Sequence, residues 1–165
     1  MPPTGAKAPA SDKAPAKDKA PLEPVWYWIK SIDIPANNPL QKTHWNFVNN
    51  SPDLMITVER NGVELGKTDV KKSSWACVYA RKYQNSFPFF QKTGEAYTFT
   101  IFNHNSVWWS GSMLQIVVNG DTFNQDEVVV REKADPFAVK ESLVTVTLVR
   151  ITNDESLRLQ KAAGK

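Results

Sequence analysis

The chain has 165 residues, 41% hydrophobic and 22% charged, a balance that suits one globular domain with a real core and tails. Its net charge of +3, with 13 Lys/Arg against 12 Asp/Glu over residues 25–151, gives no electrostatic case for nucleic acid as a partner. A lone cysteine, Cys77, excludes an intramolecular disulfide and a cysteine-rich zinc site, and no apolar run is long enough to span a bilayer.

The Met1-Pro2-Pro3 start has neither the layout of a secretory signal nor the Met-Gly that myristoylation needs, so the protein is expected in the cytoplasm. Residues 1–24 are almost wholly Pro, Ala, Lys and Asp, and Lys-Ala-Pro recurs at Lys7, Lys13 and Lys19. Recurrent proline breaks a helix and nothing apolar is available to bury, so the segment is predicted to be a disordered, extended tether. A solvated spacer explains this composition more simply than an electrostatic arm does.

At Val25 the character changes. Val25–Ile34 is β-branched and aromatic, and Pro35 stops it, which predicts a first strand. A polar stretch runs from Ala36 to Pro52. Leu54–Arg60 and Val63–Leu65 then flank Asn61-Gly62, a pair that tolerates the positive φ of a type I′ hairpin turn. Further strands are predicted at Ala76–Tyr79, Phe87–Phe90, Tyr97–Phe102, Met113–Val118, Glu127–Arg131 and Leu143–Ile151. Asn119-Gly120 and Asp135-Pro136 punctuate them. Helical periodicity is confined to Glu155–Ala163, a short exposed helix in the polar tail 152–165.

About eight strands separated by turn signals specify an all-β fold, an antiparallel β-sandwich over residues 25–151. Pattern alone leaves the strand order open. By alternation, Trp26 and Trp28 share a face of the first strand with Ile32 and Ile34, where core packing is the default. Exposed, the two indoles would form a flat stripe suited to carbohydrate.

Several segments, taken in order, resemble those of the C2 domain, the eight-stranded sandwich of many calcium- and phospholipid-binding proteins. Ile32-Asp33-Ile34-Pro35 leads into a first loop that closes with Ser51-Pro52-Asp53-Leu54-Met55-Ile56. Gly66-Lys67-Thr68-Asp69-Val70-Lys71-Lys72 is similar to the family's lysine-bearing strand. Tyr83-Gln84-Asn85-Ser86-Phe87-Pro88-Phe89 resembles its Trp-Asn-Glu-x-Phe-x-Phe segment. Tyr97 to Asn105 falls where the family has a strand ending in Val-x-Asp-x-Asp, and Gly111–Ile116 where the next strand opens.

The departures fall on the calcium site. Calcium takes six to eight oxygen ligands and gains affinity from carboxylates, and the family draws about five aspartates from two loops. At the matching positions this chain has Asp53, with Asn103 and Asn105 in place of two aspartates, Asn37 or Asn38 in the first loop, and Ser110 last. One carboxylate does not offset dehydration of the ion, so no calcium and no other cofactor is expected. Strand-end capping is the simpler role for Asn103 and Asn105.

Two surface features carry the functional expectation. The resemblance implies that the first and third loops adjoin at one end of the sandwich, which would cluster Trp45, Phe47, Trp108 and Trp109. Amphipathic indoles suit a membrane–water interface, a protein partner or a sugar ring, and equally suit closing the end of a core. Lys67, Lys71, Lys72, Arg81 and Lys82 would form a basic patch on or beside two neighbouring strands, the counterpart of lysines that bind acidic headgroups in the family. Ordinary edge protection is the plainer reading of the same lysines.

Enzymatic features are weak. Cys77 lies in an apolar run, where a buried inert thiol is expected. His44 and His104, one in each tip loop, make a poor metal site without carboxylates. No phosphate-binding glycine loop, nucleophile elbow or paired carboxylates are present. The sequence therefore reads as a non-enzymatic, calcium-independent module that docks on an anionic phospholipid membrane or a protein scaffold. A carbohydrate-binding or assembly sandwich is the alternative.

Overall fold

The structure is a computed structural model that describes residues 24–42, 51–79, 87–104, 111–132 and 143–162. The aromatic and β-branched run that opens it forms β1 (Trp26–Asp33), and the polar turn after it carries a 3-10 helix at Pro39–Lys42. The Asn61-Gly62 turn, with φ of 50° and 78°, joins β2 (Leu54–Arg60) to β3 (Val63–Lys67). Two short strands follow, β4 (Ala76–Val78) and β5 (Pro88–Phe90). The longer strands β6 (Ala96–Asn103), β7 (Gly111–Asn119), β8 (Glu127–Glu132) and β9 (Val144–Ile151) complete two antiparallel sheets.

One sheet has the order β4-β1-β9-β8, with β5 also on β1; the other runs β3-β2-β6-β7. The nine described strands fill eight sheet positions. β4 pairs with Ser31–Asp33 and β5 with Trp26–Trp28, so the two occupy successive lengths of one edge of β1. The inner faces of both sheets share one core. The all-β antiparallel sandwich is thus observed, and each predicted strand appears within a few residues of its expected limits.

Strand β1 departs from simple alternation. Ile29 pairs with Leu148 but Ser31 with Thr147, so Lys30 is an extra, bulged residue. The bulge reverses the facing of the strand. Tyr27 and Ile29 before it, and Ile32 and Ile34 after it, are all buried at 2% exposure or less. Trp26 and Trp28 therefore do not share a face with Ile32 and Ile34, a correction to strict period-2 reading. They point to the other side of the sheet, and still form no exposed stripe. Trp28 is buried, while Trp26 is half-buried, lies 5.6 Å from the Phe90 ring and donates from Nε1 to Asn153 Oδ1 at 3.1 Å.

Asn153 opens α1 (Asn153–Ala162), which follows β9 and contacts β5. The helix begins earlier than its predicted Glu155 start and is docked, not exposed. Ser156 is fully buried, Leu159 packs against the core, and Thr152 Oγ1 accepts the Glu155 N–H at 3.2 Å as an N-cap. Among the described residues no helix is long and apolar enough to cross a membrane.

Antiparallel pairing divides the sandwich into two poles. The ends of β1 and β6 and the starts of β2, β4, β7 and β9 meet at one pole, where the long loops leave. The opposite pole holds the Asn61-Gly62 turn, Pro24 and the start of α1. There an aromatic knot closes the core. The Phe123 ring lies 5.1 Å from Tyr97, 5.3 Å from Tyr27 and 6.0 Å from Phe89. Tyr27 Oη donates to the Gln125 carbonyl at 2.6 Å, and Tyr97 Oη to that of Phe90 at 2.9 Å, so the phenols reach the rim without orphaned hydroxyls.

A polar bridge ties the sheets near the other flank. Ile56 N–H donates to Thr68 Oγ1 at 3.0 Å, and that hydroxyl donates to Tyr79 Oη at 3.2 Å. Burial pushes the Tyr79 ionisation well above its ordinary value of 10.0. Below that value both folded and unfolded chains hold the proton, and stability is independent of this group. Above it only the unfolded chain ionises, so stability falls by about 1.4 kcal/mol per pH unit until the folded hydroxyl also titrates. Urea unfolding from neutral to strongly alkaline pH is expected to show that decline, shallower in Tyr79→Phe.

Candidate functional site

The loop pole is built on three strand ends. Leu54 pairs with Asn103, and Asn103 with Gly111, so the feet of the first and third loops stand side by side. The crossover from β3 to β4 joins them. Leu54 and Lys71 exchange both backbone hydrogen bonds at 2.8 Å, and the Ile34 N–H donates to the Trp75 carbonyl at 2.9 Å.

Three polar side chains at this pole accept from backbone N–H groups. Asn103, 1% exposed, accepts the Asp53 N–H on Oδ1 at 2.9 Å, while the His104 N–H donates to the Asp53 carbonyl at 2.7 Å. Asp53 Oδ1 accepts the Ser73 N–H at 2.8 Å, which steadies a residue held at a φ of 50°. Asn38 is fully buried and accepts the Leu40 N–H at 2.9 Å, fixing the turn into the 3-10 helix; Asn37 beside it is exposed. Side-chain oxygens used this way replace the hydrogen bonds the loop backbone lacks.

The matching positions are short of the carboxylates from which calcium binding gains affinity. Of the five matching positions, Asn37 or Asn38, Asp53 and Asn103 lie in the described residues, and Asn105 and Ser110 lie outside them. They supply one carboxylate, and Asp53 Oδ1 and Asn103 Oδ1 both face backbone N–H donors. Among the described residues no group of three or more His, Cys, Asp and Glu clusters as metal ligands.

The basic residues divide. Lys67 ends β3, and Lys71 and Lys72 are exposed in the crossover at the pole; Arg81 and Lys82 fall outside the described residues. Trp45, Phe47, Trp108 and Trp109 also lie outside them, as do His44 and Ser110, whereas the residues that frame their loops, Lys42, Ser51, His104 and Gly111, lie within. Cys77 is 7% exposed, and burial pushes its thiol up against the opposing influence of Lys71, an environment that suits a core residue rather than a nucleophile.

Sequence reading did not find the Asp53–Ser73 contact or the Leu54–Lys71 bridge. The polar run Lys72-Ser73-Ser74 was the available sign of a tight turn there, but nothing local names the partner across the pole. Truncating the buried amide tests the arrangement. Asn103→Ala leaves the Asp53 N–H without its acceptor and is expected to cost about 1–3 kcal/mol in urea unfolding.

No family model matches the chain, and no curated protein matches it. Solved structures do. A C2 domain of plant extended synaptotagmin 1 is similar with a TM-score of 0.52 at 12% identity, over 79% of this chain and 97% of that one. Human GIVD cytosolic phospholipase A2 is similar with a TM-score of 0.51 at 11% identity, over 77% of this chain. The likeness spans only 16% of the phospholipase chain. At such identities the likeness is one of fold, and the fold is a C2-like sandwich.

Proposed function

We propose that this chain is a non-catalytic binding module that docks its loop pole on an anionic phospholipid membrane without calcium. The observation that carries the reading is the juxtaposition of the two loop feet beside exposed Lys71 and Lys72. The loops that leave those feet hold Trp45, Phe47, Trp108 and Trp109, side chains suited to the headgroup region. Each lysine near an anionic surface contributes about 1 kcal/mol, and Lys67, Arg81 and Lys82 would extend the patch. Docking would thus rest on aromatic and cationic side chains, while Asp53 Oδ1 and Asn103 Oδ1 accept from backbone N–H groups. Such a protein would be cytoplasmic and peripheral on the membrane.

A protein scaffold is the other surface this pole would fit. Carbohydrate has less support, since the indoles that would form a sugar-binding stripe, Trp26 and Trp28, are half-buried and buried. Co-sedimentation with vesicles distinguishes these. Binding is expected to rise with anionic lipid, to be unchanged by chelator, and to drop in the Trp108→Ala/Trp109→Ala double variant. Binding to no vesicle composition overturns the membrane reading, and retained glycan or protein capture by such a sample favours those partners instead.

The calcium half of the proposal has its own measurement. Thermal unfolding followed through a calcium titration is expected to show no shift at sub-millimolar ion. A site occupied far above its Kd would raise the midpoint by several degrees and overturn the reading of Asp53 and Asn103.

A further inference from the structure

Four edges bound the two sheets: β4 with β5, and β8, in one; β3 and β7 in the other. An open edge presents unpaired N–H and C=O groups, and proteins guard it with charge, proline, a bulge or shortness. β4 and β5 are three residues each, and β5 opens on Pro88. β8 carries Glu127, Arg131 and Glu132. β3 carries Glu64 and Lys67 and is bulged against β2.

β7 lacks most of these guards. Its nine residues, GSMLQIVVN, include no charge and no proline. Its one irregularity against β6 lies between the pairs of Ile101 and Phe102, which leaves Leu114–Asn119 regular. Among the described residues β6 is its sole strand partner. On the solvent side of that regular stretch, Gln115, Val117 and Asn119 are exposed, Val117 at 62%.

We propose that β7 is a self-association edge, on which a second copy of this chain adds its own β7 antiparallel, centred on Val117. The strand's own side chains select that occupant. A two-fold axis at Val117 sets Val117 against its copy and Gln115 against Asn119, so apolar meets apolar and amide meets amide. No like charges oppose one another. Self-pairing of β8 along its full length would instead set Glu127 against Glu132, a repulsive cross-strand pair. The β7 pairing joins two four-stranded sheets into one of eight, with backbone hydrogen bonds as the main attraction. Because the contact is narrow, association is weak and concentration-dependent.

The full chain in lipid-free buffer provides the test, separate from membrane docking. In sedimentation velocity the mass is expected to climb from one copy toward two as concentration rises. Amide exchange at residues 114–119 is expected to slow over the same range. Val117→Lys, which opposes two ammonium groups, is expected to remain a monomer, whereas Val117→Thr still associates. Because Val117 is exposed, the unfolding midpoint of Val117→Lys is expected to match the native chain. A native chain that stays monomeric at millimolar concentration overturns the proposal, as does a dimer that Val117→Lys leaves intact.

Discussion

The sandwich depends on one extra residue in β1. Lys30 is the bulged position, and through it a single strand feeds the core twice, with Tyr27 and Ile29 before the bulge and Ile32 and Ile34 after it. Full burial of such side chains contributes about 1.5–3 kcal/mol each, so turning two of them outward would cost about 3–6 kcal/mol. That is a large share of the roughly 5–15 kcal/mol that holds a typical domain together. The bulge is used on both sides as well. Its carbonyl accepts the Tyr79 N–H at 2.8 Å, and its ammonium pairs with Glu127 at 2.8 Å across the sheet. The ion pair is exposed and contributes little; the backbone bond fixes where β4 ends and its edge partner changes.

The poles are stabilised by different means. Around Phe123 the rings of Tyr27, Phe89, Tyr97 and Phe99 close one end with apolar contact. Gly120 makes that closure possible, since a Cβ there would sit 2.0 Å from the Lys92 carbonyl oxygen. At the loop pole Asp53, Asn103 and Asn38 act as braces for backbone, each accepting an N–H on Oδ1. Asp53 and Asn103 thus hold backbone at positions where sandwiches of this kind place metal ligands, and a shared fold does not by itself carry the metal chemistry over.

Much of this was legible in the sequence because the signals are local. The limits of β2 follow from its alternating side chains, and the Asn61-Gly62 turn from the positive φ those residues accept. The bulge was not legible, since period-2 reading assumes a register that only β9 imposes. The docked α1 escaped for a similar reason: its polar sequence looks solvated until Trp26 and β5 supply a surface for it. At the loop pole the residue types were visible and their partners were not. Asp53 and Ser73 are twenty positions apart, and the pairing of Leu54 with Asn103 that sets the loop feet together is a long-range event.

Pro24 and the start of α1 share the pole opposite the long loops, for an even number of sheet positions carries the chain out at the end where it came in. Mechanically this is a body leashed from behind. The chain enters on β1 and leaves on β9, which lie antiparallel and side by side, so a pull that separates the two ends would open their seven residue pairs one after another from Trp26–Ile151 inward. The loop end bears none of that load. Force that separates the chain's ends would therefore be spent at the opposite pole, away from whatever the loops contact.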